Sequence, residues 1–299
     1  MTAITQIPEF FTTEFSANWN FLVQQKLSKL REYVVIDRVQ GKEKKYNQMA
    51  AVNMTQITAR AQTTNLSDTA MAQRWLRPLQ YEKADLLDEW DAELLGEVSL
   101  PQSELVTNHA MALARKCDEI ILAAAVGTAS TGATGTTNTV LPAGQKIAHD
   151  FVESGSAATS GLTIAKLRQA KFLLDDANVD EDDPRIIAVS PRQLQDLLRT
   201  TEVTSADYNT VRALVAGQLD TFMGFKFRVV DKAFFALANN RREVVAYVKS
   251  GLRMTDAGRR VHVDIRPDRS HALQIRTTAS LGAARMEEKK VVQISCSEA

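Results

Sequence analysis

Cysteine, long apolar runs and excess charge of either sign are all scarce in this chain, and each shortage excludes a class of protein. Cysteine occurs twice in 299 residues, as Cys117 and Cys296, too few for a disulfide scaffold and in keeping with a reducing compartment. The longest uninterrupted apolar run, Ile120 to Val126, falls far short of the roughly 20 residues that a bilayer-spanning helix needs. The N-terminal MTAITQIPEFF has neither a basic segment nor an apolar core of signal type, so a soluble chain is expected. Lys plus Arg number 36 and Asp plus Glu 36. No net field draws the chain to nucleic acid or an anionic membrane, and any DNA contact is local or weak.

Sites of familiar chemistry are scarce as well. Gly127 and Gly132 have the spacing of a phosphate-binding loop, but Ala133 and Thr134 follow, and without the loop lysine nothing reaches the outer phosphates. Asp176, Asn178 and Asp180 imitate the start of a calcium loop, yet Glu181 holds the position of the hard bend and Ile187 that of the bidentate ligand. DEDD at 180–183 therefore reads as a solvated turn before Pro184. His109, His149, His262 and His271 are too scattered to set two ligands on one helix face. A Cys296–His262 nucleophilic pair has no local support. Arg253, Arg259, Arg260, Arg266, Arg269 and Arg276 are interleaved with Asp256, Asp264 and Asp268, a pattern that fits a charged strand surface meeting a partner better than a phosphate track. No catalytic, cofactor-binding or metal-binding residue is expected, and no internal repeat is present.

What the sequence does carry is scaffold. Trp19, Leu22, Val23, Leu27 and Leu30 share a face of an expected amphipathic helix over 16–32, with Ser16 as its cap. A polar, Thr-, Gln- and Ala-rich stretch runs to about residue 72, and 46–86 reads as a long projecting hairpin that is marginal alone. Ser99, Pro101 and Gln102 open the strongest helix, on which Val106, Ala110, Leu113, Cys117, Ile120 and Ala124 recur at spacings of four and three until Gly127. GTASTGATGTTNTVLPAG, 127–144, reads as a low-complexity loop. Thr163 caps a helix carrying Ile164, Leu167, Lys171 and Leu174, with Leu162 stapled to Leu167. RIIAVS, 185–190, is a buried strand that leads into a helix capped by Ser190 and started by Pro191. GQLDTFMGFKFRVVD, 217–231, turns at Gly224 into a strand of Phe225, Phe227 and Val229. EVVAYVK, 243–249, and RRVHVDIR, ALQIRTTA and KKVVQIS in the tail complete the strands.

The order of these parts resembles the major capsid protein of tailed bacteriophages, the shell fold first seen in phage Hong Kong 97. ARKCDEIILAAAVG at 114–127, IIAVSPRQLQDLL at 186–198 and GQLDTFMGFKFRVVD at 217–231 carry the resemblance most specifically, and the matched pattern covers 50–299. It implies an α+β fold with an N-terminal arm at 1–45, an extended loop at 46–86, a peripheral domain with a spine helix from 87–159 and 251–299, and an axial domain at 160–250.

By the same resemblance the function is that of a non-enzymatic shell subunit, forming pentamers and hexamers of an icosahedral capsid around the phage genome. The implied partners are other copies of the chain, a separate scaffolding protein and a portal, with weak non-specific contact to packaged double-stranded DNA, room for a decoration protein, and no membrane. The implied location is the virion, after assembly in the bacterial cytoplasm. No cleaved N-terminal scaffold segment is expected, since about 45 residues precede the loop. Some family members join a loop lysine to a neighbour's asparagine. Lys83 stands near the loop base, but no asparagine follows Asn240, so non-covalent contacts are expected. The rival readings are an encapsulin-type nanocompartment shell, which shares the fold, and a soluble α/β hydrolase using Cys296 or a serine.

Overall fold

The computed structural model describes residues 22–64, 66, 68–87, 102–199 and 221–298. They form an α+β protein with three α-helices, α1 (Gln102–Val126), α2 (Ile164–Asp176) and α3 (Pro191–Arg199). The strands are β1 (Val35–Ile36), β2 (Lys44–Met49), β3 (Met71–Leu76), β4 (Leu79–Leu87), β5 (Ala129–Thr131), β6 (Thr137–Thr139), β7 (Lys146–Ile147) and β8 (Arg185–Val189). After them come β9 (Thr221–Phe222), β10 (Phe225–Val229), β11 (Leu237–Ala238), β12 (Arg241–Val248), β13 (Leu252–Arg266), β14 (Ala272–Arg285) and β15 (Val291–Ser297). Two compact units result: described residues within 1–27, 80–115 and 258–279 form one, and those within 28–79, 116–257 and 280–299 the other.

The larger unit is centred on a seven-stranded sheet in the order β7-β15-β12-β8-β10-β9, with β11 beside β12. β8 is buried at all five positions, as a strand covered on both faces must be. β10 runs parallel to it, Phe225 beside Arg185 through Val229 beside Val189, while β12 is antiparallel to both β8 and β15. One face of this sheet packs on α2 and α3. Ile187, Val189, Phe225, Phe227, Val244, Ala246 and Ile294 meet Leu167, Ala170, Leu174, Leu194 and Leu197. The helix starts follow the sequence. The Thr163 hydroxyl accepts from the Lys166 amide at the start of α2, and at the start of α3 the Ser190 amide donates to the Gln193 side chain at 2.8 Å, one half of a capping box. Leu162 and Leu167 are both fully buried, as the staple requires.

Met223 and Gly224 take φ of 52° and 82°. They form the two-residue turn between β9 and β10, the mirror-image geometry that suits the twist of a hairpin. KKVVQIS, read in the sequence with the peripheral segment, supplies β15 and pairs with β12 from Arg241–Ser297 to Tyr247–Val291.

Three further expectations change. Residues 22–30 are not helical. Instead Asp118 of α1 accepts from the Ser28 hydroxyl at 2.5 Å and from the amides of Lys29 and Leu30 at 3.0 and 3.1 Å. Three bonds to one buried carboxylate hold residues 28–30 off their helical period, and Leu22, Val23 and Leu27 stay exposed. Ser16, Trp19 and the helix-start residues Ser99 and Pro101 lie outside the described residues. The 46–86 hairpin is confined to β2 and β3, paired from Lys44–Leu76 to Met49–Met71; β4 joins a different sheet, ordered β1-β13-β14-β4. The 127–144 stretch is not a plain loop. It folds as the β5–β6 hairpin and extends the first into a sheet ordered β2-β3-β5-β6.

Candidate assembly interface

The hairpin of β2 and β3 stands on a polar base. Arg74, nearly buried, bonds Glu288 at 2.5 Å and Gln48 at 3.3 Å, and Gln48 donates to the Met286 carbonyl at 2.8 Å. Tyr46 donates to Asp37 at 2.7 Å, and Asp37 also receives Arg253 at 2.5 Å. Burial alone would raise the Asp37 carboxyl, but the Tyr46 hydroxyl and the Arg253 guanidinium hold it below the usual carboxylate range.

Beneath them Arg285 is fully buried and donates to the carbonyls of Ala125 and Gly127 at 2.7 Å each and of Thr139 at 3.1 Å. A helix leaves its last carbonyls without internal partners, and one planar guanidinium here satisfies two at the end of α1 while tying down β6. The linker glycines serve the same base. Trp75 donates to the Gly132 carbonyl at 2.7 Å, and a Cβ on Gly135 would lie 2.8 Å from the Trp75 ring. Lys45 lies over that ring, 5.5 Å from its centroid.

Beyond this base the ladder closes with one bond, from the Ala50 amide to the Ala70 carbonyl at 2.9 Å. Among the described residues of 51–69 no strand or helix follows, and almost every one is exposed. A local turn at the tip forms where Gln62 accepts from the Thr58 amide at 3.1 Å and Ala61 takes φ 57°. Apolar side chains are strung along this arm: Val52, Met54, Ile57 and Leu66, with Met49 and Met71 at its root. Met54 and Leu66 are 102 % and 93 % exposed. Covering such a side chain is worth about 1.5–3 kcal/mol, and the segment carries only Arg60 and Asp68 as charges. It lacks the high charge of a solvated disordered tail and has no apolar cover within its own described chain.

The candidate catalytic residues are not brought into a site. Cys296 is buried on β15, and burial pushes its thiol up to about 12, so no thiolate is available near neutrality. His109 is buried on α1 between Asp85, 2.7 Å from Nε2, and Thr277, 3.1 Å from Nδ1. His149 lies beside Asp150, His262 sits on exposed β13, and His271 has φ 58° just before β14. Gly132 turns the β5–β6 hairpin with φ 84°, and Asn178 takes φ 54° just past α2. Among the described residues no group of three or more His, Cys, Asp or Glu is placed to hold a metal ion. A cleft of about 410 Å³ is lined mainly by Leu122, Ala123, Val126, Phe234, Phe235 and Val245 with Glu119 and Glu243 at its side, and contains no nucleophile or histidine. No described helix is long and apolar enough to cross a membrane.

Sequence reasoning missed the residues that build the base. Arg74 gave no spacing signal toward Arg285 and Glu288, because the base is built from two segments more than 200 residues apart. The one available cue was an arginine within the apolar SLGAARM run.

The fold matches solved capsid structures along its whole length. It is similar to the capsid of cyanophage Pam1, with TM-score 0.73, 11 % identity and 99 % of each chain covered. It is also similar to the capsid of Ralstonia phage GP4, with TM-score 0.73, 8 % identity and 99 % and 98 % coverage, and to that of cyanophage P-SCSP1u, with TM-score 0.70, 15 % identity and 97 % and 94 % coverage. No curated protein sequence matches at a significant level. The model of a family described as phage capsid protein matches residues 7–298. The family match over nearly the whole chain, on a fold shared with solved phage capsids, leads to one conclusion: the chain belongs to the phage capsid protein family.

Proposed function

We propose that this capsid protein closes its shell as pentamers and hexamers, each subunit laying the 51–69 strap over a neighbour in the same ring. The observation that carries the reading is the contrast between the pinned base of the hairpin and the apolar side chains beyond it that nothing in the described chain covers. Many modest contacts of this kind, repeated around a closed ring, sum to a stable assembly without any one large apolar patch. The α2–α3 face and its seven-stranded sheet correspond to the axial domain, to which β7 and β15 now add. The shell encloses double-stranded DNA, and the balanced charge of the chain, 36 against 36, keeps the wall from binding that polymer tightly. A separate scaffolding protein and a portal complete the assembly, which proceeds in the host cytoplasm without chemistry by this chain.

The test replaces residues 51–69 with a short turn, leaving Ala50 and Ala70 paired. The expected product folds with wild-type circular dichroism yet yields no closed particles by electron microscopy and elutes as a small species. Normal shells from this variant would refute the strap.

A further inference from the structure

We propose that the outer edge of β13, residues 258–266, pairs antiparallel with the same strand of a second copy, in the register centred on His262. Among the described residues β13 has β14 on one side, and on the other β1 reaches only Arg253 and Met254. Over 258–265 every residue is exposed, and Val261, Val263 and Ile265 are 49, 50 and 63 % exposed. An edge strand of this length with apolar alternation is a template for another strand, and proteins that stay monomeric blunt such edges with proline, lysine or a bulge. Here the first proline, Pro267, comes after the strand, no lysine lies within it, and the left-handed Gly258, with φ 68°, stands at the N-terminal end of the exposed run, before the 260–264 pairs.

The charges point to a second copy as the occupant. Arg260 and Asp264 lie two residues to either side of His262 and so share its face of the strand. Neighbouring charges pair within the chain, Arg266 with Asp268 and Arg276 with Glu82. Among the described residues neither Arg260 nor Asp264 has an ion-pair partner. In the register centred on His262, Arg260 of each copy faces Asp264 of the other, twice over. On the opposite face Val261 meets Val263, again twice. A two-fold contact must be self-complementary, and this strand is so in charge and in apolarity together. Cross-strand pairs of opposite charge stabilise, and like charges directly opposite destabilise.

The proposal rests on the shell reading, because a two-fold contact between copies presupposes assembly; the unmodified chain tests that reading separately. Cys117 and Cys296 are buried, so an introduced surface cysteine is the reactive thiol. His262→Cys particles, mildly oxidised and run without reductant, should give a dimer band. Facing residues of an antiparallel pair lie about 4.5–5.5 Å apart at Cα, within disulfide reach. Asp268→Cys, on the exposed turn, should give none. Independently, Arg260→Asp and Asp264→Arg should each raise the protein concentration needed for half-assembly about tenfold, and the double swap should restore it. Particles of His262→Cys that form without the dimer overturn the proposal, as does a double swap no better than the single changes. If His262→Cys does not fold, the charge swaps alone decide. Failure of the unmodified chain to assemble overturns the shell reading and this contact together.

Discussion

Gly224 shows how a single backbone angle can be tested apart from packing. Its φ of 82° lies in the left-handed region, and a Cβ built there meets nothing within 4 Å, so substitution strains the backbone without creating a clash. Gly224→Ala is expected to cost about 1 kcal/mol and Gly224→Val about 2, because branching at Cβ adds to the left-handed penalty. At roughly 2–4 °C per kcal/mol for a domain of this size, the two melting temperatures should fall in that order; equal melting of all three proteins would remove the assignment. Glu298 gives a pH test at the same scale. Arg242, nearly buried, bonds it at 2.6 and 2.9 Å and Gln193 adds a bond at 2.9 Å. The Arg242 guanidinium holds the Glu298 carboxyl below its ordinary range, against a smaller opposing effect of burial. A carboxyl with a depressed folded pKa stabilises fully above its unfolded value, about 4.3, and that contribution is lost as pH falls through the lower folded value. The stability difference between the wild type and Glu298→Gln, read from urea midpoints, should be constant above about pH 5 and shrink below pH 4. A difference that grows on acidification would contradict the ion pair.

At the scale of elements, legibility followed locality. α2, β8, α3 and β10 were readable because each is specified by signals within a few residues: Thr163 and Ser190 as caps, Pro191 at the first helical position, four apolar residues in RIIAV. The segment 22–30 was misread because its period is helical while its partner, Asp118, lies about 90 residues away, and three bonds to a buried carboxylate outweigh a weak local preference. The Gly/Thr linker was misread for the converse reason. Its glycines mark a hairpin whose glycine face is fitted to Trp75, and nothing in the local composition announces a partner 57 residues distant. This fit makes a prediction. Gly135→Ala places a Cβ 2.8 Å from the Trp75 ring and 2.7 Å from Arg77 Nη2 at φ 68°, so the ring must leave its bond to Gly132. The expected cost is about 2 kcal/mol, felt at the base of the strap rather than in the seven-stranded sheet. Hydrogen exchange should accelerate tenfold or more at the β2 and β3 amides, with β8 and β12 unchanged. Uniform acceleration, or none, would show that the linker does not clamp the hairpin.

For the whole molecule the question is whether the shell is held by covalent or non-covalent contacts. An isopeptide bond between subunits needs an amine that has lost its proton and a side-chain amide within reach. Lys83, the lysine best placed near the base of the extended segment, is bonded to Asp85 at 2.6 Å with its side chain 58 % exposed. That ion pair holds the side chain at the surface, not desolvated in an apolar pocket of the kind that activates a lysine amine. Asp85 is shared with His109, and the Lys83 and His109 bonds hold its carboxyl below the usual range against the effect of burial. This carboxylate is therefore committed to an ion pair and a histidine bond and is not available to take a proton from the amine. On the acceptor side, residues 251–299 contain no asparagine. Mature particles boiled in detergent with reductant should therefore run as one band near 33.1 kDa, and Lys83→Arg particles should match the wild type in yield and in thermal disassembly. A ladder of linked subunits that Lys83→Arg abolishes would mean that assembly strips Lys83 from Asp85 and buries it against a neighbour's amide.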